Sequence, residues 1–413
     1  MSTLVLSAAD SLIGGVAGAA SSAIGNLVSG ALSGGRASDT VRVTEGPRLS
    51  EVNGLSSTEG APIPRLYGRA RIGGQLIWAT RIEEVASTAT TVDRGARSGG
   101  KGLGGARKTT TTVSTTYSYF ANLAVGLCEG PIAFVRRVWA DGRELDLTEL
   151  TLRVHTGGEE QVPDPLIVAK EGGATVPAYR GLAYVVFERM PLAPFGNRVP
   201  QFSFEVVRAV DGLRQMIRSV CLIPGSTEFG YDDRPVSRVL GLGKSEPENV
   251  YQLQRNTDIE ASLDWLLALC PNLTGISVVA SWFGDDLRAG HCTIRPRVDV
   301  LGKETAGGTW RAAGLFRADA LEVSRVDGKP AYGGTPSDDG LVRLIGTLKA
   351  RGLSVTLYPF VMMDVPRDNV LPDPRTGSAG QPPYPWRGRI TCDPAPGVEG
   401  SPDGTSVAAA QVV

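Results

Sequence analysis

YSYFANLAVGLCEGPIAFVRRVWADGREL (residues 117–145) and PAYRGLAYVVFERMPLAPFGNRVPQFSFEV (residues 177–206) decide how this chain is read. Strands are predicted through YSYFANLAVGL, AFVRRVWA, LTLRVHT, AYVVFERM and FSFEVVRA, because each is an apolar or alternating run bounded by turn chemistry. Ala140-Asp141-Gly142 offers a tight hairpin, Gly157-Gly158 a second, and Pro163-Asp164-Pro165 a rigid corner. Antiparallel β barrels or sandwiches are the natural result.

Working outward, VRVTE, RLYGRARI and QLIWATRI in residues 37–85 read as the strands that open this domain. Between them and Tyr117 lies TATTVDRGARSGGKGLGGARKTTTTVSTT, rich in Thr, Gly and basic residues and almost free of large apolar groups. It is expected to be a mobile hairpin or loop, residues 86–116. Gly95, Gly100 and Lys101 have the spacing of a phosphate-binding loop, but Gly102 stands where Ser or Thr is required, with no flanking strand and helix, so nucleotide binding is not expected. Arg94, Arg97, Lys101, Arg107 and Lys108 against Asp93 make the loop locally positive. Ringed around a channel, such loops are suited to touching DNA phosphates without reading sequence, although a solvated loop tip is the simpler use.

Residues 1–35 carry one charged side chain, Asp10. Ile13, Val16, Ala20, Ile24, Leu27 and Ala31 recur at helical spacing, beside a row of small residues that includes Gly14, Gly18 and Gly30. Each interior Gly costs a helix about 1 kcal/mol relative to Ala. Small residues every fourth position also let helix backbones approach closely, so Ile13, Gly14, Gly18, Ile24 and Gly30 are candidates for helix packing or membrane penetration. No Lys or Arg precedes the apolar region, against a secretory signal, and Asp10, Asn26 and several Ser make a poor single span. A helix packed at a symmetry axis on copies of itself or on a partner protein, and able later to enter a bilayer, is expected, with a flexible Gly/Ala/Ser arm as the alternative.

Downstream, residues 211–262 hold the short segment LRQMIRSVCLIPGSTEFGYDD. Residues 263–413 change composition: a helix ending in LDWLLALCPNL, the strand GISVVASWFGDD, the helix SDDGLVRLIGTLKARG with Asp338 and Asp339 at its start and Gly352 past its end, and the strand LSVTLYPFVMMDV. Strand, helix, strand with continuous apolar runs predicts a parallel α/β unit.

The 413 residues suffice for two or three domains, and 42 basic against 43 acidic residues give no bulk pull toward nucleic acid or anionic membrane. The five cysteines, Cys128, Cys221, Cys270, Cys292 and Cys392, are far apart and never in a CxxC pair. Neither a disulfide framework nor a zinc site is supported, and buried free thiols made in a reducing cytoplasm are expected. No metal or cofactor is expected.

The combination of CEGPI, WADG, PDPLI, PAYRG and FGNR, with GAPIPRLYGRARIGGQLIWAT upstream (residues 60–80), resembles the tail-tip proteins (hub, or "megatron") of gene transfer agents and long-tailed phages over most of residues 42–230. The resemblance implies a virion protein at the tail tip, assembled in the cytoplasm, that closes the DNA channel and acts in attachment, envelope penetration and DNA delivery. It implies a homotrimer whose partners are distal tail and other baseplate proteins, the tape measure protein, packaged DNA and the host envelope or a surface glycan. It also implies mainly β hub domains (barrel or sandwich), an N-terminal apolar helix and a C-terminal partial α/β (TIM-barrel-like) domain similar to glycoside hydrolases. The expected division is 1–36, 37–210, 211–262, which the resemblance implies is a connector or second hub segment, and 263–413. A closed eight-stranded barrel needs about 250 residues, so the chain is expected to be the N-terminal portion of a longer protein.

Catalysis has thin support in the residues. His155 and His291 are the only histidines and fall in separate predicted domains, against a hydrolase triad. A virion-associated glycoside hydrolase acting on peptidoglycan or polysaccharide is the alternative function, and it needs two facing carboxylates. Asp285, Asp286 and Asp364 follow the two predicted strands, with Trp282 and Tyr358 as sugar-stacking rings. Loop capping is the plainer use of Asp285 and Asp286.

Overall fold

The structure, a computed structural model, describes residues 40–45, 57, 60–94, 109–173, 175–210, 212–383 and 390–412. The chain divides into two compact units, Met1–Val210 and Asp211–Val413. The apolar helix expected over residues 1–36 lies outside the described residues. Among those described, no helix is long and apolar enough to cross a membrane.

The first unit is built on one strand of 21 residues, β5 (Thr109–Glu129). Its first half lies between β4 (Glu83–Arg94), antiparallel to it, and β1 (Thr40–Glu45), parallel to it. Its second half lies between β3 (Gln75–Ala79) and β9 (Leu182–Pro191), and β8 (Thr151–His155) extends the sheet beyond β9. A second sheet has the order β2 (Gly68–Gly73), β10 (Phe202–Arg208), β6 (Phe134–Ala140), β7 (Arg143–Glu144).

Side-chain alternation explains the layering. Leu123, Val125 and Leu127 of β5 and Ala183, Val185 and Phe187 of β9 meet Val138, Phe202, Phe204 and Val206 of the second sheet in one core. Phe187 stacks on Phe202 with centroids 4.6 Å apart. The intervening residues Ala124, Tyr184 and Val186 face the other way and pack with Trp78 against Ile167 of α1 (Pro165–Glu171). Strand β9 is therefore buried on both faces, which accounts for its unbroken apolar run AYVVF.

In the second unit β11 (Ser219–Leu222), β14 (Gly275–Gly284) and β23 (Ser354–Met363) pair in parallel, and β15 (Ile294–Arg295) joins the end of β14 antiparallel. Helices α3 (Asp258–Leu269) and α4 (Asp338–Ala350) cover one face through Leu263, Leu344 and Leu348 against Ile276 and Val278. The remaining helices are short, α2 (Leu213–Met216) and α5 (Ser406–Ala410). A three-stranded sheet joins β12 (Ser237–Gly241), β13 (Lys244–Pro247) and β17 (Glu304–Ala306). Three two-stranded ribbons pair β16 (Arg297–Val298) with β20 (Leu321–Glu322), β18 (Arg311–Ala312) with β19 (Leu315–Phe316), and β21 (Arg325–Val326) with β22 (Lys329–Pro330).

This corrects the expected fold class. The described residues are mostly β, in small sheets with few helices, and they contain no TIM-barrel-like α/β domain. Residues 285–337 supply short strands and turns where a barrel would continue its helix and strand alternation. The strand LSVTLYPFVMMDV was expected to be buried, but among the described residues β23 has a strand partner on one side only, with Leu357 and Tyr358 half exposed.

Candidate functional site

The sequence motifs converge on one another at the turns of the first unit. Asp141, between β6 and β7, takes a left-handed conformation and accepts hydrogen bonds from Arg198 Nη2 (2.7 Å) and the Gln201 N–H (2.9 Å). The Gln201 N–H is the chief reason its carboxyl is held low. WADG is thereby tied to FGNR. Likewise Gly130 of CEGPI donates its N–H to the carbonyl of Gly181 in PAYRG at 2.8 Å. A Cβ on Gly130 would lie 2.5 Å from Gly157 Cα, so two backbones meet where only glycines fit.

The PDPLI corner is an ionic lock. Buried Asp164 caps α1 by accepting from the Leu166 and Ile167 N–H groups. Arg153 donates to it through Nε (2.7 Å) and Nη2 (3.1 Å), and His155 Nε2 lies 2.9 Å away. Burial pushes the Asp164 carboxyl up, but Arg153 and His155 outweigh it and hold it below the ordinary value. His155 in turn stacks on Tyr184 at 4.3 Å. These motif residues act as architectural ties.

The three candidate acids are each engaged by neighbouring groups. Asp285 accepts from the Thr293 N–H at 2.7 Å. Asp286 pairs with Arg288 Nη2 (2.7 Å) and Gln381 Nε2 (2.7 Å), and these bonds overcome burial to keep its carboxyl low. An acid so held stays ionised at neutral pH and does not serve as a proton donor. Asp364 accepts from Arg297 Nη1 (2.8 Å) and the Ser324 N–H (2.9 Å). The register pairs Val279 with Tyr358 and Trp282 with Val361, which puts Trp282 and Tyr358 on opposite faces of the sheet.

The basic loop candidates Arg97, Lys101, Arg107 and Lys108 lie outside the described residues, as do Ile13, Gly14, Gly18, Ile24 and Gly30. Arg94 is the last residue of β4 and pairs with Thr109 across the arm.

The sequence reading missed an ionic cluster in the second unit. Lys303 Nζ lies 2.5 Å from Asp299 Oδ2, 3.0 Å from Glu248 Oε1 and 3.3 Å from Glu228 Oε2, and Arg317 grips Glu228 from the other side at 3.0 and 3.1 Å. Three carboxylates face two cations. Burial pushes Glu228 up to about 7 despite the Arg317 bonds, and the neighbouring Asp299 carboxylate acts in the same direction. Burial opposes the charge of Lys303, and the surrounding carboxylates more than restore it. No grouping of His, Cys, Asp and Glu among the described residues is suited to a metal.

Two cavities adjoin this cluster. One of about 660 Å³ lies on the helix-free face of the parallel sheet, lined by Val279, Phe283, Phe360 and Met362. The other, of about 510 Å³, is lined by Lys303, Glu248, Tyr251 and Asp258. The only local signal for the cluster was the spacing of Asp299 and Lys303, four residues apart.

No family model matches this chain, and no curated protein does. Among solved structures, a chain of the "Virion of native gene transfer agent (GTA) particle" is 40% identical to it, with 48% of this chain and 40% of that chain covered and a TM-score of 0.29. The present chain thus spans about two fifths of that chain's length.

Proposed function

We propose that this chain is a structural protein of a phage-like particle. The observation that carries the reading is the set of motifs between CEGPI and FGNR, whose residues tie the turns of the first unit to one another. The sequence identity with a chain of a gene transfer agent virion points to the same class.

Within that class the tail tip is the favoured place. Copies, three by the resemblance, surround the DNA exit, with distal tail, baseplate and tape measure proteins as neighbours and the recipient envelope as target. The long arm formed by β4 and β5 and the near-neutral charge suit a conduit that DNA passes through without being held. The test is cryo-electron microscopy of intact particles carrying an epitope-tagged chain. A threefold ring at the far end of the tail is expected. Absence from particles overturns the reading, and label spread along the tail or on the head overturns the placement.

A further inference from the structure

The second sheet of the first unit turns one face to the core and one outward. Phe204 and Val206 of β10 point into the core, so Ser203 and Glu205 point away from it. Cross-strand register puts Arg69 and Arg71 of β2 and Arg137 and Trp139 of β6 on that outer face, and Glu144 of β7 stands opposite Trp139. The ladder between β10 and β6 slips beside Glu205, and there Arg136 also reaches the outer face, with Nη1 3.5 Å from the Glu205 carboxylate.

Four arginines thus share this face with two glutamates. Three of them converge on Glu205, Arg69 at 3.2 Å, Arg136 at 3.5 Å and Arg137 at 3.8 Å. One carboxylate cannot satisfy the donors of three guanidiniums, and the Arg69 side chain keeps 62% of its surface exposed. Arg71 is exposed and has no carboxylate partner among the described residues, yet it is fixed in place. Its Nε donates to Ser203 Oγ at 2.9 Å, and its guanidinium lies over the Trp139 ring, 4.0 Å from the centroid. A cation held in position at the surface without an acid of its own is pre-organised for an anion.

The geometry selects among anions. Ser203 and Glu205 are two residues apart on β10, so the guanidiniums of Arg71 and Arg69 above them are spaced by about 7 Å, the repeat of alternate side chains in an extended polypeptide. Guanidinium forks match carboxylates, and Arg beside Trp is a composition typical of protein contact sites. A nucleic-acid strand fits less well, because its phosphates would meet Glu205 and Glu144, and the Trp139 face on which a base would stack is covered by Arg71. The same face of a second copy is equally basic and is repelled.

We infer that the outer face of the second sheet is a docking surface for an acidic, extended segment of a partner protein, with Arg71 and Arg69 receiving carboxylates from alternate positions of that segment. This contact stands apart from the particle reading, since it follows from the face alone.

The test is fluorescence anisotropy of the full chain with a fluorescein-labelled synthetic peptide of alternating Glu and Ser. Saturable binding that weakens with salt is expected. Arg69→Gln with Arg71→Gln should lower the affinity about tenfold or more. Lys170→Gln with Lys244→Gln removes as much charge from other exposed positions and should change it by less than about twofold. Glu205→Gln frees three arginines and should tighten binding about threefold, a gain that a damaged fold cannot produce. Absence of binding to the unaltered chain overturns the inference, as does an equal loss in the lysine variant or no loss in the arginine variant. Tighter binding of oligothymidylate than of the peptide also overturns it and makes the face a nucleic-acid surface. None of these outcomes bears on whether the chain belongs to a particle.

Discussion

Inside the ionic cluster, Glu228 takes up a proton far more readily than a free glutamate, because burial penalises its charge more than Arg317 rewards it. Its folded value of about 7 lies above the ordinary 4.5. Between those two values the folded chain binds the proton more tightly than the unfolded chain, so the contribution of Glu228 is full below pH 4.5 and is lost as pH rises toward 7. Asp299, held low by its neighbours, acts in the opposite sense and only at more acid pH. Urea midpoints should fall between pH 5 and pH 7.5, and Glu228→Gln should flatten that slope. An unchanged slope in the variant would assign the effect elsewhere. Beyond the spacing of Asp299 and Lys303 none of this was legible in the sequence, because the partners are scattered from Glu228 to Arg317 and only the fold gathers them. Asp164 is different: its place between two prolines announced a corner, though not the arginine and histidine that hold it.

Among the elements, β10 gives the most direct test of the sandwich. Phe202, Phe204 and Val206 face inward while Ser203 and Glu205 face outward, as the FSFEV alternation in the sequence implies. Phe204 is fully buried against both sheets, so Phe204→Ala should cost about 3–5 kcal/mol. Thermal unfolding measured by near-ultraviolet circular dichroism would detect it, and a loss below about 1 kcal/mol would contradict the packing. The first unit was readable because turn residues and alternation agreed. Residues 263–413 were harder. The helices and apolar runs there were visible, but a run of apolar residues does not say whether a strand lies inside a sheet or at its margin, and among the described residues β23 lies at the margin. The short ribbons between β14 and α4 left no periodic trace, since two-residue strands have no period.

At the scale of the molecule, a net charge of −1 governs the behaviour toward DNA. The isolated chain should bind duplex no better than the non-specific range of roughly 10⁻⁴–10⁻⁶ M at physiological salt. Tighter, steeply salt-dependent binding in an electrophoretic shift assay would require a basic face that the overall composition did not announce. The same scale brings out what β23 does to the chain in a test tube. Ten residues without a single charge, an outer edge with no strand partner among the described residues, and Leu357 and Tyr358 half exposed make a strand that other extended chains can meet, and Pro359 at its centre, with no N–H to donate, interrupts that edge. Concentrated solutions of the purified chain should therefore stay clear while Pro359 guards the edge and thicken once Pro359→Ala restores the missing amide.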